Sequence, residues 1–147
     1  MQTKVIKSYE DYYFDEELTA AMTKDWREKI SFYYSPYVPV GWHDIVVAMF
    51  NDIAKLRGHK KVMMVKQSWG MLTTECYVMR RSGRQVRLYE IEERYRSHSI
   101  RRCFGCGHAG VRKIVGSTVQ VLCGKCLEKL NVVMRGDQPT GTWLDQV

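Results

Sequence analysis

The chain has 147 residues, enough for one domain with a hydrophobic core, and carries a net charge of +7. Its 45% hydrophobic and 12% aromatic content argues against intrinsic disorder. Neither a signal peptide nor a stretch apolar enough to span a bilayer is apparent, so the sequence predicts a soluble protein of the reducing cytoplasm with no membrane partner.

The first predicted element is a helix that begins near residue 8 and continues to residue 34. Ser8 offers an N-cap, and the acidic residues that follow it are typical of a helix start. Apolar side chains then recur every four residues, at Leu18, Met22, Trp26 and Ile30. Pro36 and Pro39 end the helix. This region is rich in aromatic side chains, which favour a core or interface role over base stacking.

A second helix is predicted to begin at Gly41 and Trp42 and to end before Gly58. Its apolar stripe consists of Ile45, Met49, Ile53 and Leu56. Residues 62–65 and 71–78 then predict a β-hairpin, since a short glycine-containing connection joins two strand-like segments. One face of the second strand carries Leu72, Thr74, Cys76 and Val78. A third helix is predicted over residues 85–99, with an inner stripe of Leu88, Ile91 and Tyr95.

Two Cys-x-x-Cys pairs are the most specific motif in the chain. They consist of Cys103 with Cys106 and Cys123 with Cys126, and sixteen residues separate them. This spacing is typical of a zinc site in which two tight turns aim four thiolates at one Zn²⁺. Because four sulfur ligands fill the coordination sphere, we predict a single structural zinc whose binding free energy contributes to folding.

Other interpretations of the cysteines are less favoured. His108 follows the first pair closely and is an alternative ligand, although a solvent-exposed loop histidine fits a chain that already offers four cysteines. Two disulfides would require an oxidising compartment, which nothing in the sequence indicates. The fifth cysteine, Cys76, stands alone in a strand-like segment and is interpreted as a small core residue.

The segment between the cysteine pairs predicts a second hairpin. Its strands are 111–115 and 118–122, and Gly116 with Ser117 forms a two-residue turn. A short helix over residues 127–133 closes this zinc ribbon, and residues 136–147 form a tail. The predicted fold is therefore a single α+β domain over residues 1–135, in which helices and a β-hairpin form a body (1–100) and a C-terminal four-cysteine zinc ribbon (101–130) packs on it.

The positive charge is concentrated in the C-terminal half. Residues 1–78 carry ten basic and ten acidic side chains, whereas residues 79–135 carry thirteen Lys or Arg and four Glu. Such asymmetry favours an anionic partner, and nucleic acid is the usual one, although a solvated surface that maintains solubility is the alternative. The candidate nucleic-acid or partner contacts are Arg80, Arg81, Arg84, Arg101, Arg102, Arg112, Lys113 and Lys125.

The combined pattern resembles a group of small, largely uncharacterised phage and prophage proteins. The resemblance covers residues 41–126 and is carried by Gly41-Trp42, by residues 65–72, by Glu92-Glu93, by Cys103 to Gly107 and by the second cysteine pair. At Gln67-Ser68-Trp69 the chain departs from that group, which more often has Glu-Lys-Phe. The resemblance implies a phage-encoded accessory protein that works in the host cytoplasm, and it implies no catalytic residue.

Two functions remain open. One is a non-catalytic accessory protein that binds nucleic acid through the basic C-terminal half. The alternative is a phage factor that binds a host protein, and so inhibits or redirects a host enzyme, a transcription complex or an antiviral defence complex. We do not predict an enzyme, because the sequence has no open metal site, no phosphate-cradling glycine loop and no paired acid–base motif, and no small-molecule substrate is evident.

Overall fold

The computed structural model describes residues 24–34, 36–79, 84–133 and 142–143. It confirms the predicted α+β class, with helices, two small sheets and four clustered cysteines in the C-terminal region. Among the described residues, no helix has both the length and the apolar character needed to cross a membrane.

The first helix is shorter than predicted at its C-terminal end. Helix α1 spans Lys24–Lys29, and strand β1 follows directly at Ile30–Phe32; the predicted part before residue 24 lies outside the described residues. The prediction of helix through residue 34 was wrong because Ile30–Phe32 pairs in parallel with a strand that begins at Lys60, thirty residues later in the chain. The helical spacing nevertheless identified core positions, since Trp26 and Ile30 are both buried.

The predicted first hairpin is confirmed and is longer than expected. Strand β2 spans Lys60–Ser68 and pairs with strand β3, Met71–Val78, across a turn at Trp69 and Gly70. The three strands form one sheet in the order β1-β2-β3. The polar ends of β2 are stabilised by this pairing, although their composition is not typical of a strand.

Two helices cover one face of this sheet. A 3₁₀ turn at Val40–Trp42 leads into α2, His43–Lys55, and α3 spans Arg84–Ser99. Their predicted inner stripes are largely confirmed, because Ile45, Met49, Ile53, Leu88 and Ile91 are buried, whereas Leu56 and Tyr95 are half-buried. The core between the helices and the sheet also contains Trp26, Trp42, Phe50, Val62, Val65, Leu72 and Cys76.

The second hairpin has the predicted bounds. Strands β4, Val111–Val115, and β5, Thr118–Leu122, pair antiparallel through a turn at Gly116 and Ser117. The closing helix α4 begins at Gly124, directly after Cys123, and spans Gly124–Val133. In the predicted tail, strand β6 at Thr142–Trp143 pairs with β4 opposite Lys113 and Ile114. The tail therefore contributes a third strand to this sheet.

One carboxylate lies within the helix–sheet core. Glu92 of α3 is 8% exposed, and its Oε2 accepts a hydrogen bond from the Thr74 hydroxyl of β3. Its Oε1 is buried and has no hydrogen-bond partner within the described part of the chain. Burial raises the pKa of Glu92, although the Thr74 hydrogen bond and the charge of Arg96 oppose this shift.

We expect Glu92→Gln to weaken the pH dependence of stability. A raised pKa means that the folded protein holds a proton that the unfolded chain releases, so the free energy of unfolding should fall as pH rises from about 4.5 through the pKa of the folded state. Chemical denaturation between about pH 4 and pH 8 measures this slope. Glu93→Gln is the matched control because Glu93 is exposed; an unchanged slope in Glu92→Gln would contradict the prediction.

Candidate metal centre and basic surfaces

The four predicted cysteines converge on one point. The Sγ atoms of Cys103, Cys106, Cys123 and Cys126 all lie within 4.8 Å of one another. The sulfurs of Cys106 and Cys123 are 3.6 Å apart, close to the edge of about 3.8 Å in a tetrahedron with metal–sulfur bonds of about 2.3 Å. A disulfide would require about 2.05 Å, so these thiols are free. The cluster can hold one metal ion.

Backbone hydrogen bonds shape the two turns that present the sulfurs. In the first turn, the Cys103 N–H donates to the His108 carbonyl (2.7 Å), and the Gly107 N–H donates to the Cys103 carbonyl (3.0 Å). Gly107 has a φ of +78°, a conformation that glycine adopts without steric cost. In the second turn, the Cys126 N–H points at the Cys123 sulfur (3.4 Å). Each turn is therefore organised by short-range contacts around its cysteines.

The thiols differ in their protonation equilibria. Burial would raise the pKa of Cys123, but the Cys126 N–H and hydrogen bonds from the neighbouring thiols lower it to about 7. Burial raises the pKa values of Cys106 and Cys126. A cluster with one favoured thiolate and neighbouring protonated thiols must release protons when a cation binds, so metal affinity should rise with pH.

His108 lies beside the four-sulfur cluster. Its Nδ1 is 3.3 Å from the Cys106 sulfur, which is a hydrogen-bonding contact, and the side chain is exposed. Cys103 and Cys126 are buried and the other two cysteines are half-buried. The four sulfurs thus satisfy a tetrahedral ion without the imidazole, which is placed to hydrogen-bond a ligating sulfur.

The first cysteine turn is fixed against the start of α2. The Gly41 N–H donates to the Phe104 carbonyl (2.7 Å), and the Trp42 Nε1–H donates to the Arg102 carbonyl (2.9 Å). The rings of Trp42 and Phe104 pack edge to face at 4.9 Å, and both side chains are fully buried. The cysteine cluster therefore shares a core with the helical body.

The predicted basic contacts do not form one surface. Arg101, Arg102 and Lys125 are exposed near the cysteine turns, and Arg102 Nη1 donates to the Gly107 carbonyl (3.2 Å). Arg84 begins α3, a helix of sixteen residues and about 24 Å, and lies at the opposite end from these residues. Arg80 and Arg81 lie outside the described residues.

Two residues of the predicted set have roles within the fold. Lys113 is fully buried in β4, so the prediction that it contacts a partner is wrong. Burial lowers the pKa of Lys113, and the nearby sulfur of Cys123 partly offsets that shift. Arg112 is half-buried and donates from Nε (3.1 Å) and Nη2 (2.7 Å) to the Trp69 carbonyl, which joins the ribbon to the tip of the first hairpin.

A basic cavity of about 890 Å³ lies where α2 ends and α3 begins. We call it the basic cavity, and its charged lining comprises Lys55, Arg57, Arg84, Arg87 and Glu90. Lys60 is fully buried at the adjacent start of β2. Burial, together with the charges of Lys29 and Arg84, lowers the pKa of Lys60 to about 8. Positive charges at this end of the molecule are thus close enough to perturb one another.

Sequence reasoning missed most of this cavity. Lys55 and Arg57 belong to the N-terminal half, whose basic and acidic counts cancel. In the fold they lie beside Arg84 and Arg87, which are about thirty residues away in the chain. No local sequence motif therefore joins the four residues. The available signal was the basic pair that flanks Leu56 at the C-terminal end of the predicted second helix, a position where basic side chains are also favoured by the helix dipole.

The chain was compared with models of protein families, with curated proteins and with solved structures, and none of them matches it.

Proposed function

We propose that this chain is a non-catalytic, zinc-stabilised accessory protein that binds nucleic acid. The phage setting of the proposal is carried by the sequence resemblance. The nucleic-acid partner is supported by the charges of the folded protein.

Zinc is the metal that best suits the cysteine cluster. Four thiolates favour a soft or borderline ion, and a tetrahedral all-sulfur set is typical of Zn²⁺ or iron. The set leaves no open position for water or substrate, so a bound ion would stabilise the fold and would not activate a reactant. Metal analysis of purified protein distinguishes zinc from iron.

The basic cavity is the observation that carries the nucleic-acid proposal. Lys55, Arg57, Arg84 and Arg87 come from two separate parts of the chain and line one concavity together with a single carboxylate, Glu90. Mutual repulsion disfavours such an arrangement unless an anion offsets it. Further along α3, outside the cavity, two arginines pair with acids. Arg94 lies 3.6 Å from Asp52 and Arg96 lies 3.5 Å from Glu93.

Not all four lining cations are equivalent. Lys55 Nζ lies 4.0 Å from an Asp52 oxygen, and Arg84 Nη1 donates to the Arg57 carbonyl (3.1 Å). Arg57 and Arg87 have exposed side chains, so they suit phosphate contacts without a change in the fold. Guanidinium groups also match phosphate oxygens bidentately.

We expect Arg57→Ala combined with Arg87→Ala to weaken nucleic-acid binding at least tenfold at near-physiological salt. Each lost phosphate contact should also lower the slope of log affinity against log salt by about 0.7–0.9. Fluorescence anisotropy of the metal-loaded protein with labelled DNA and RNA, measured across a salt series, tests both quantities.

The matched control is Arg101→Ala combined with Arg102→Ala, which removes the same charge at the metal end. We expect this control to lose less nucleic-acid affinity than the Arg57→Ala/Arg87→Ala variant. If the control loses more affinity than the cavity variant, the contact surface is at the cysteine turns. If the unmodified protein binds no nucleic acid even at low salt, the proposed function is wrong and the protein-binding alternative takes its place.

A further inference from the structure

Among the described residues, no helix packs on one face of the β1-β2-β3 sheet. Cross-strand partners share a face of the sheet. The buried side chains of Val62, Val65 and Cys76 define the core face. The pairs Lys61–Tyr77 and Lys66–Thr73 lie on the opposite face. The exposed side chains of this open face are Ser31, Lys61, Lys66, Glu75 and Tyr77, and exposed Tyr33 lies at its edge. Met64 and Thr73, on the same face, are half-buried.

Aromatic rings occur on the open face and at its end. Tyr77 is 43% exposed, and its hydroxyl donates to Glu75 Oε1 (2.6 Å). Tyr33 is 68% exposed; its N–H donates to the Val62 carbonyl (2.8 Å), and the preceding Phe32 packs against core Phe50. Tyr33 directly follows β1, and its ring packs edge to face on the exposed ring of Tyr34 at 4.8 Å, at the edge of the sheet.

The tip of the hairpin presents a third ring. Trp69 is 71% exposed and has a φ of +56°, which is uncommon for a bulky residue. The two hydrogen bonds from Arg112 to the Trp69 carbonyl hold this conformation from the ribbon side. Backbone strain that the surrounding structure maintains is common at ligand-binding positions.

These features occur at the two ends of β2 and between them. The basic cavity adjoins the end of the sheet where β2 begins and β3 ends, and Trp69 lies at the other end. The nine residues of β2 span about 30 Å. On the open face, Lys61 lies opposite Tyr77 near the first end, and Lys66 lies between Lys61 and the Trp69 end. Cations and aromatic rings therefore both occur along the length of the face.

We propose that the open face binds single-stranded nucleic acid, with bases stacked on Tyr33, Tyr77 and Trp69 and phosphates contacted by Lys61 and Lys66. This inference rests on the proposed function and specifies its ligand. Ring faces accept any unpaired base, whereas the bases of a duplex are already stacked on one another. Lys61 and Lys66 provide positive charge that can contact a phosphodiester backbone.

The test compares a labelled single strand of about 12 nucleotides with a duplex of the same length, using the full-length, metal-loaded protein. We expect Tyr33→Ala combined with Tyr77→Ala to weaken single-strand binding at least tenfold and duplex binding less than threefold. The control variant Tyr33→Phe combined with Tyr77→Phe keeps both rings. Its affinity for the single strand should stay within about threefold of the parent's. Lys61→Ala with Lys66→Ala should reduce the salt slope, whereas Lys24→Ala, an exposed control on α1, should not.

A second measurement reports contact directly. Single strands should quench the fluorescence of the exposed Trp69 ring, and this quenching should disappear in Trp69→Phe. If the double Ala variant, with an unchanged melting temperature, binds single strands as tightly as the parent, the open-face inference is overturned while the Arg57/Arg87 result still decides the proposed function. If the parent binds no nucleic acid, both are overturned.

Discussion

Cys106→Ser combined with His108→Ala should abolish stoichiometric metal binding and unfold the ribbon. The serine removes one of four ligands that meet within 4.8 Å. The second substitution is needed because His108 Nδ1 lies 3.3 Å from the Cys106 sulfur and is placed to replace it. Loss of the ion leaves a small, glycine-rich segment without the interaction that closes it.

The expected loss of stability is large. When the free metal ion is about a thousandfold above its dissociation constant, its binding stabilises the folded state by about 4 kcal/mol, and the variant loses this contribution. For a chain of this length that corresponds to a fall in melting temperature of roughly 8–16 °C. The measurements are metal content by elemental analysis and thermal unfolding with and without a chelator.

Two single variants serve as controls for the metal prediction. Cys76→Ala removes a buried thiol outside the cluster and should retain one metal ion per chain, although it leaves a small cavity in the core. His108→Ala should also retain the metal if the four sulfurs are sufficient. A Cys106→Ser/His108→Ala protein that kept full metal content, or kept its melting temperature without metal, would refute the structural role.

The elements that were predicted well are those fixed by nearby residues. The second hairpin was predicted to the residue because Gly116-Ser117 is a two-residue turn signal and the strands on either side are rich in β-branched residues. Gly116 has a φ of +62°, as such a turn requires. The four clustered cysteines were equally accessible to prediction, since each pair lies within one turn and spacing alone defines the motif. The apolar stripes of α2 and α3 carried a similarly local signal.

The errors have a common origin in contacts between distant residues. Ile30–Phe32 is a strand because it pairs with residues at the start of β2, and the helical periodicity of this segment does not indicate that pairing. Lys113 was expected at the surface because lysines are almost never fully buried, whereas it lies inside the sheet between β5 and β6. The basic cavity likewise exists only after α2 and α3 are brought together.

The same dependence on distant contacts makes Gly41 sensitive to substitution. A Cβ at this position would lie 2.1 Å from the Cys103 carbonyl oxygen and 2.7 Å from the carbonyl of Phe104. These are backbone atoms of the metal turn, so no side-chain rotation relieves the clash. The sequence marked Gly41 only as the start of a helix, since the Cys103 backbone approaches it from sixty-two residues away.

Gly41→Ala should therefore separate the ribbon from the body, at a cost of about 3 kcal/mol, the upper end of the usual range for overpacking. We expect the melting temperature to fall by roughly 6–12 °C. The Gly41–Phe104 and Trp42–Arg102 hydrogen bonds should weaken together, because one displacement lengthens both. Metal affinity, measured by competition with a chelator, should fall as well, since the displaced backbone carries Cys103 and Cys106.

Gly124→Ala is the matched control for this prediction. Gly124 also lies beside a metal ligand, but a Cβ there would meet nothing within 4 Å, and it begins α4. Alanine should be neutral or slightly stabilising at that site, because it restricts the unfolded chain without a clash. If Gly41→Ala were as stable as Gly124→Ala and bound metal equally well, the close backbone contact between α2 and the metal turn would not contribute to holding the two parts together.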